Sequence, residues 1–86
     1  MKVLFYSSIL NYTNGEKFFE ASGCSTIREL IEKLVMHFGE RFKEFVFESE
    51  SCIFLVNGRG IMGTGGLDTK LNPDDKIELL PFAGAG

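Results

Sequence analysis

Thr26-Ile27-Arg28-Glu29-Leu30-Ile31-Glu32-Lys33-Leu34-Val35-Met36-His37-Phe38-Gly39 is the stretch on which the fold turns. Ile27, Leu30, Ile31, Leu34, Val35 and Phe38 recur at helical spacing, and Arg28, Glu29, Glu32, Lys33 and His37 fall on the opposite side. Thr26 can cap this helix, Glu29 stands three residues on to complete a capping box, and Gly39 ends it. Each large apolar side chain on the stripe is worth roughly 1.5 to 3 kcal/mol when buried. Such a face needs a sheet to cover.

The flanking sequence supplies one. Lys2 to Ile9 and Glu16 to Ser22 mix apolar and β-favouring residues and read as the two strands of a hairpin. The polar turn Asn11 to Gly15 joins them, with Asn14-Gly15 as its strongest signal because both residues tolerate positive φ. After the main helix, Glu40 to Phe47 spaces Phe42, Phe45 and Val46 for a short amphipathic turn or helix. Beyond the polar Glu48 to Ser51, the run Cys52-Ile53-Phe54-Leu55-Val56 is apolar at consecutive positions, as expected of a central strand covered on one or both faces. It stops at Asn57-Gly58. The segment Arg59 to Thr69, with Gly at four of its eleven positions, holds at most a short edge strand around Ile61 and Met62. Asn72-Pro73-Asp74-Asp75 makes a turn, and Lys76-Ile77-Glu78-Leu79-Leu80 is a last strand ending at Pro81-Phe82. The order strand, strand, helix, strand, short strand, strand predicts the α+β class, with helices on one face of a mixed sheet of four to five strands.

Composition narrows the function. Eighty-six residues, 44% of them hydrophobic, suffice for one domain. A chain this short rarely encloses a deep substrate pocket and still keeps a core, so a binding, carrier or regulatory role stands ahead of autonomous catalysis. The formal charge is −3 and the nine Lys and Arg residues are scattered, so the basic stripe that nucleic acid demands is lacking. The longest apolar runs, Ile53 to Val56 and Val3 to Tyr6, fall far short of the roughly 20 residues of a membrane span. The N-terminus enters strand pattern without a signal-peptide layout, which predicts a cytoplasmic location. Cys24 and Cys52 are too few for a disulfide scaffold or a thiolate zinc site and read as small semi-buried hydrophobes. No metal site is expected.

Several motifs carry less than they suggest. Gly58-Arg59-Gly60-Ile61-Met62-Gly63 spells G-x-G-x-x-G after a predicted strand, but Thr64-Gly65-Gly66 follows where a dinucleotide site needs a helix. His37, the only histidine, lies near the helix end with no nucleophile placed beside it, and reads as a helix-end cation or a solvated residue. Asp74-Asp75 and the Glu48/Glu50 pair read as turn and loop solubilisers. Nine phenylalanines exceed the needs of a small core. One or two exposed on the sheet face would mark a docking surface, with Phe82 the first candidate and Pro81 beside it.

Asn57-Gly58, Gly66-Leu67-Asp68-Thr69-Lys70-Leu71, Asp74-Asp75-Lys76-Ile77-Glu78 and Pro81-Phe82-Ala83-Gly84-Ala85-Gly86 together resemble the closing third of the molybdopterin-synthase small-subunit (MoaD-like) family. The thiamine-pathway (ThiS-like) sulfur carriers and ubiquitin share its fold. The detailed match covers about 30 residues, and the element order covers the whole chain. The resemblance implies a β-grasp (ubiquitin-like) domain over residues 1–82, in which the helix crosses the sheet and the first and last strands lie parallel at its centre. Residues 83–86 would then form a flexible functional tail.

It also implies a carrier cycle centred on the Gly86 carboxylate. A ubiquitin-activating-like adenylyltransferase would spend its own ATP to adenylate that carboxylate, so the carrier needs no permanently bound cofactor. Sulfide or a persulfide would replace AMP and leave a thiocarboxylate. A molybdopterin-synthase large subunit would receive the tail and pass sulfur to a pterin precursor for the molybdenum or tungsten cofactor; thiamine, another thio-metabolite, or a protein lysine are the alternative acceptors. Ala83, Gly84 and Ala85 would thread the partner's channel, since four residues beyond Phe82 reach roughly 13 Å when extended. Where the family ends in Gly-Gly, this chain has Ala85-Gly86. In a channel built for glycine the extra methyl costs roughly 1 to 3 kcal/mol through overpacking.

Overall fold

The computed structural model describes residues 1–47 and 52–81. Five strands form one mixed sheet: β1 (Lys2–Phe5), β2 (Phe18–Glu20), β3 (Cys52–Val56), β4 (Arg59–Gly60) and β5 (Lys76–Pro81). Their spatial order is β2-β1-β5-β3-β4. β1 and β5 lie parallel near the centre, with Val3 opposite Ile77 and Phe5 opposite Leu79, as a β-grasp requires. β2 and β3 flank this pair antiparallel, and β4 closes the far edge.

Two helices, α1 (Ile27–Phe38) and α2 (Glu40–Phe47), cover one side. The cap of α1 forms as its sequence predicts, with one variation. Thr26 Oγ1 accepts a 3.3 Å hydrogen bond from the Glu29 amide, while Glu29 Oε1 accepts a 2.6 Å bond from the amide of Ser25 rather than of Thr26. The Ile27 amide donates to Thr69 O and the Leu71 amide to Ser25 O, so the start of α1 is tied to the loop that precedes β5. At its other end Gly39 takes φ +97, a left-handed conformation open to glycine, and α2 begins at the next residue.

The core lies where the α1 stripe meets the inner sheet face. Ile27, Leu30, Ile31 and Leu34 are fully buried against Val3, Phe5, Phe54, Ile77 and Leu79, and α2 adds Phe42 and Phe45. Val35 and Phe38 are half-buried at its margin. Phe38 makes an edge contact with Phe5 at 5.5 Å between ring centroids, and Phe45 stacks on Tyr12 at 4.2 Å.

Three expectations are corrected. The first strand ends at Phe5 instead of Ile9: Ser7 adopts φ +55, residues Ser7–Asn11 form a 3₁₀ helix, and Ile9 drops into the core with no exposed surface. Apolar residues at the adjacent positions Ile9 and Leu10 break the two-residue alternation of a strand, and the β1–β2 connection is correspondingly longer than a hairpin turn. The second strand shrinks to Phe18–Glu20, although Asn14 and Gly15 do take the positive φ values expected of their turn. The edge strand falls at Arg59–Gly60, and Ile61 instead opens a 3₁₀ turn that buries it. The expected loop Glu48 to Ser51 and the domain boundary after Phe82 lie outside the described residues. Among those described, no helix is long and apolar enough to cross a membrane.

Leu30 is fully buried in this core, so Leu30→Ala should lower unfolding free energy by about 2 to 5 kcal/mol. Urea denaturation with an unchanged slope is the check, and a loss under about 1 kcal/mol would contradict this packing.

Candidate functional site

β5 is held on both sides, by β1 through Leu79 and by β3 through Pro81, which pairs with Cys52. On the β1 side the last contact is the Tyr6 amide donating to Leu79 O at 3.2 Å. Proline has no amide proton to donate to β1 at the next position of that ladder, so Pro81 is held by β3 alone. Pro81 is half-buried at this exit. The other candidate residues, Phe82, Ala83, Gly84, Ala85 and Gly86, lie outside the described residues.

Next to this exit the outer face of the sheet is apolar. Register places Ile53 opposite Leu80 and Leu55 opposite Glu78, and Leu4 beside Glu78 on its other flank. These positions alternate with the inward-pointing Phe54, Ile77 and Leu79, so they share the uncovered side. Leu4, Ile53, Leu55 and Leu80 are half-buried without joining the core, Phe18 is 54% exposed at the β2 end, and Tyr6 is 38% exposed near the exit. Glu78 sits in the middle of this patch and accepts a 2.8 Å hydrogen bond from the Tyr6 hydroxyl. That bond favours the neutral phenol and holds the Tyr6 pKa above its ordinary value. Lys2, its ammonium 5.2 Å from the centre of the Phe18 ring, marks the rim.

Pattern reading anticipated an apolar sheet face rimmed by charge but placed its anchor at Phe82. Phe82 lies outside the described residues; the described patch consists of aliphatic residues on β1, β3 and β5, with one exposed phenylalanine, Phe18, at its β2 end. The unbroken apolar run of β3 was the available signal: a strand covered on one face needs alternation, so Ile53 and Leu55 had to serve something other than the core.

The side-chain nucleophiles are poorly placed for chemistry. Cys24 is buried, and burial raises its thiol pKa. Cys52 packs against the core edge, and burial pushes its thiol up to about 11. At neutral pH both are therefore protonated and weakly nucleophilic. His37 Nε2 lies 3.5 Å from Glu16 Oε2 and its ring contacts Phe19, an arrangement that pins the end of α1 to the segment entering β2. The glycine-rich segment 58–63 makes a strand end and a 3₁₀ turn instead of a helix start, which removes the geometry a dinucleotide site needs.

A parallel central pair with a helix packed on it and antiparallel flanking strands define a ubiquitin-like β-grasp domain. The chain belongs to the ThiS family, whose model matches residues 3–86. Its fold is similar to that of the CysO component of the Amycolatopsis orientalis BexX/CysO complex, with 25% identity over 99% of this chain and 98% of that one and a TM-score of 0.81. Small archaeal modifier protein 1 from Methanosarcina acetivorans superposes with a TM-score of 0.84 at 24% identity, covering 99% of this chain and 94% of the other. Urm1 from Trypanosoma brucei gives 0.77 at 17% identity over 99% and 93%. A search of curated proteins finds no match.

A thiol pKa of about 11 against an ordinary 9.0 implies about a hundredfold less thiolate near pH 8. Alkylation of Cys52 by iodoacetamide, followed by mass spectrometry, should be slower than that of a free cysteine by this factor and accelerate as pH approaches 11. A rate equal to free cysteine at pH 8 would contradict the burial.

Proposed function

We propose that this protein is a sulfur carrier whose reacting group is the main-chain carboxylate of Gly86. One observation carries the reading: the described part of the central strand β5 ends at Pro81 beside a broad apolar face, so a partner docking on that face lies next to the start of the tail sequence. The buried thiols and the Glu16-paired histidine offer no competing side-chain chemistry.

The steps balance without a redox partner. A Gly86 carboxylate oxygen attacks the α-phosphorus of ATP bound to a ubiquitin-activating-like enzyme, and pyrophosphate leaves. Hydrosulfide then adds to the carbonyl carbon of the acyl adenylate, AMP departs with the original oxygen, and one proton is released. The product is the thiocarboxylate. Glycine at the reacting end presents no Cβ to the channel, and exclusion of water protects the adenylate from hydrolysis. Ala83, Gly84 and Ala85 act as the spacer, with Pro81 and Phe82 at its base.

For the acceptor, the tail and the Gly66-Leu67-Asp68-Thr69 segment favour a pterin precursor held by a molybdopterin-synthase large subunit. The ThiS family match and the likeness to CysO favour a different thio-metabolite, and the likeness to a protein modifier favours lysine conjugation. Affinity capture by the thiocarboxylate form decides among them: a pterin-synthase subunit, a thiazole-type synthase, or isopeptide-linked lysines is the respective product.

Incubation with the cognate activating enzyme, ATP and sulfide should raise the intact mass by the difference between one sulfur and one oxygen atom. Deleting Gly86 should abolish the change while circular dichroism stays unaltered. Leu80→Arg, which puts a charge in the apolar face, should slow the exchange about tenfold or more by weakening docking. An unchanged mass for the intact chain would overturn the proposal, and full activity of Leu80→Arg would remove the docking face from it.

A further inference from the structure

At the opposite end of β5 from the tail lies a polar cleft of about 650 Å³ that the carrier reading does not use. The Asn57-Gly58 turn forms one wall and the loop over residues 64–75 the other. Arg59 and Lys70 both line it, and neither forms an ion pair among the described residues. The sole carboxylate in the lining, Asp75, is already committed: Oδ1 accepts from Asn57 Nδ2 and Oδ2 from the Asn72 amide, both at 2.8 Å. With Asp75 counted, the lining holds two cations against one carboxylate, a local excess of positive charge on a chain whose overall charge is −3. Attraction of anions here must come from the site, since the molecule as a whole repels them.

The walls are braced without a ligand. The Asn57 side chain also accepts from the Lys76 amide at 3.0 Å, locking the first wall to the start of β5. Across the cleft Thr69, 5% exposed, donates its hydroxyl to Gly66 O at 2.7 Å and lies 3.1 Å from the Thr64 hydroxyl. Thr26 and Lys70 form an isolated β-bridge that fixes the backbone carrying the lysine to the cap of α1. Arg59 follows Gly58, whose φ of +85 completes the turn that aims the strand end back along the sheet. A cleft of this size falls within the roughly 300 to 1,000 Å³ of small-molecule sites, and every lining residue except Val56 carries a polar or charged side chain, so it suits a ligand with a charged group.

We propose that this cleft binds the phosphate group of a small hydrophilic molecule. A planar guanidinium can pair two phosphate oxygens at once, a lysine ammonium adds a second positive charge, and Asn57 Nδ2 keeps one N–H beyond the one it gives Asp75, whereas the Thr64 and Thr69 hydroxyls are spent on backbone carbonyls and only shape the wall. Lys76 and Pro81 are about 17 Å apart along the strand, so the site can be filled while the other end of the protein is in use. The assignment is independent of the sulfur-carrier reading.

The test is a titration of the ¹⁵N-labelled full chain with inorganic phosphate and with ribose 5-phosphate, against sodium chloride at matched ionic strength. Saturable amide shifts centred on residues 57–59, 64 and 69–70 are expected with the phosphates and not with chloride. The double variant Arg59→Gln/Lys70→Gln should weaken binding about tenfold or more, whereas the remote Lys43→Gln should leave it unchanged. Tighter binding of the ester identifies a phosphorylated metabolite as the source, and equal or weaker binding identifies inorganic phosphate; saturation by either supports the site. Shifts no larger than those with chloride, or shifts that persist in a double variant whose remaining spectrum shows a native fold, would overturn it.

Discussion

The parallel pairing of β1 with β5, pressed from one side by the stripe Ile27, Leu30, Ile31 and Leu34, is the interaction on which the molecule depends. It joins the two ends of the described chain, so the core cannot close until both have been brought together. Parallel neighbours need a long crossover, and here both helices and three other strands fill it. The same pairing fixes β5 in the rigid centre of the sheet. Whatever follows Pro81 starts from a defined point and direction.

The two faces of that sheet divide the work. Val3, Phe5, Phe54, Ile77 and Leu79 face the helices and supply stability. Leu4, Ile53, Leu55 and Leu80 face outward, where half-buried aliphatic surface contributes little to the isolated domain and much to a complex. Glu78, held by Tyr6 within this surface, adds a directional polar contact that can set the orientation of a docked partner. The loops at the far pole are organised by a different principle, side-chain hydrogen bonds from Asn57, Asp75 and Thr69 replacing regular secondary structure.

Legibility of the fold followed the strength of local periodicity. α1 could be read to the residue because its stripe, its Thr26 cap and its Gly39 stop all agree. β3 was equally clear from the run 52–56, whereas Phe42, Phe45 and Val46 left a turn and a helix both open for the segment that forms α2. The segment after Phe5 was misread because Ile9 is buried by tertiary contact from a 3₁₀ helix, and burial alone mimics a strand. β4, two residues long, exists through pairing with Leu55 and Val56 and has no local signal of its own. For the site, the expectation of a reactive tail falls on residues outside those described, whereas the run 52–56 hinted at an outer apolar face whose extent required knowing which strands are neighbours. The paired environment of His37 likewise depends on Glu16, distant in sequence.

The central claim is that the reaction occurs at a main-chain end and at no side chain. It is tested most directly by comparing the 86-residue chain carrying a free Gly86 carboxylate with a semisynthetic copy ending in a Gly86 carboxamide, every side chain being identical. The measurement is ATP–pyrophosphate exchange by the cognate activating enzyme. The account predicts exchange dependent on the acid form and none with the amide, although the amide still competes for the enzyme through the sheet face. Equal exchange with both forms would contradict it.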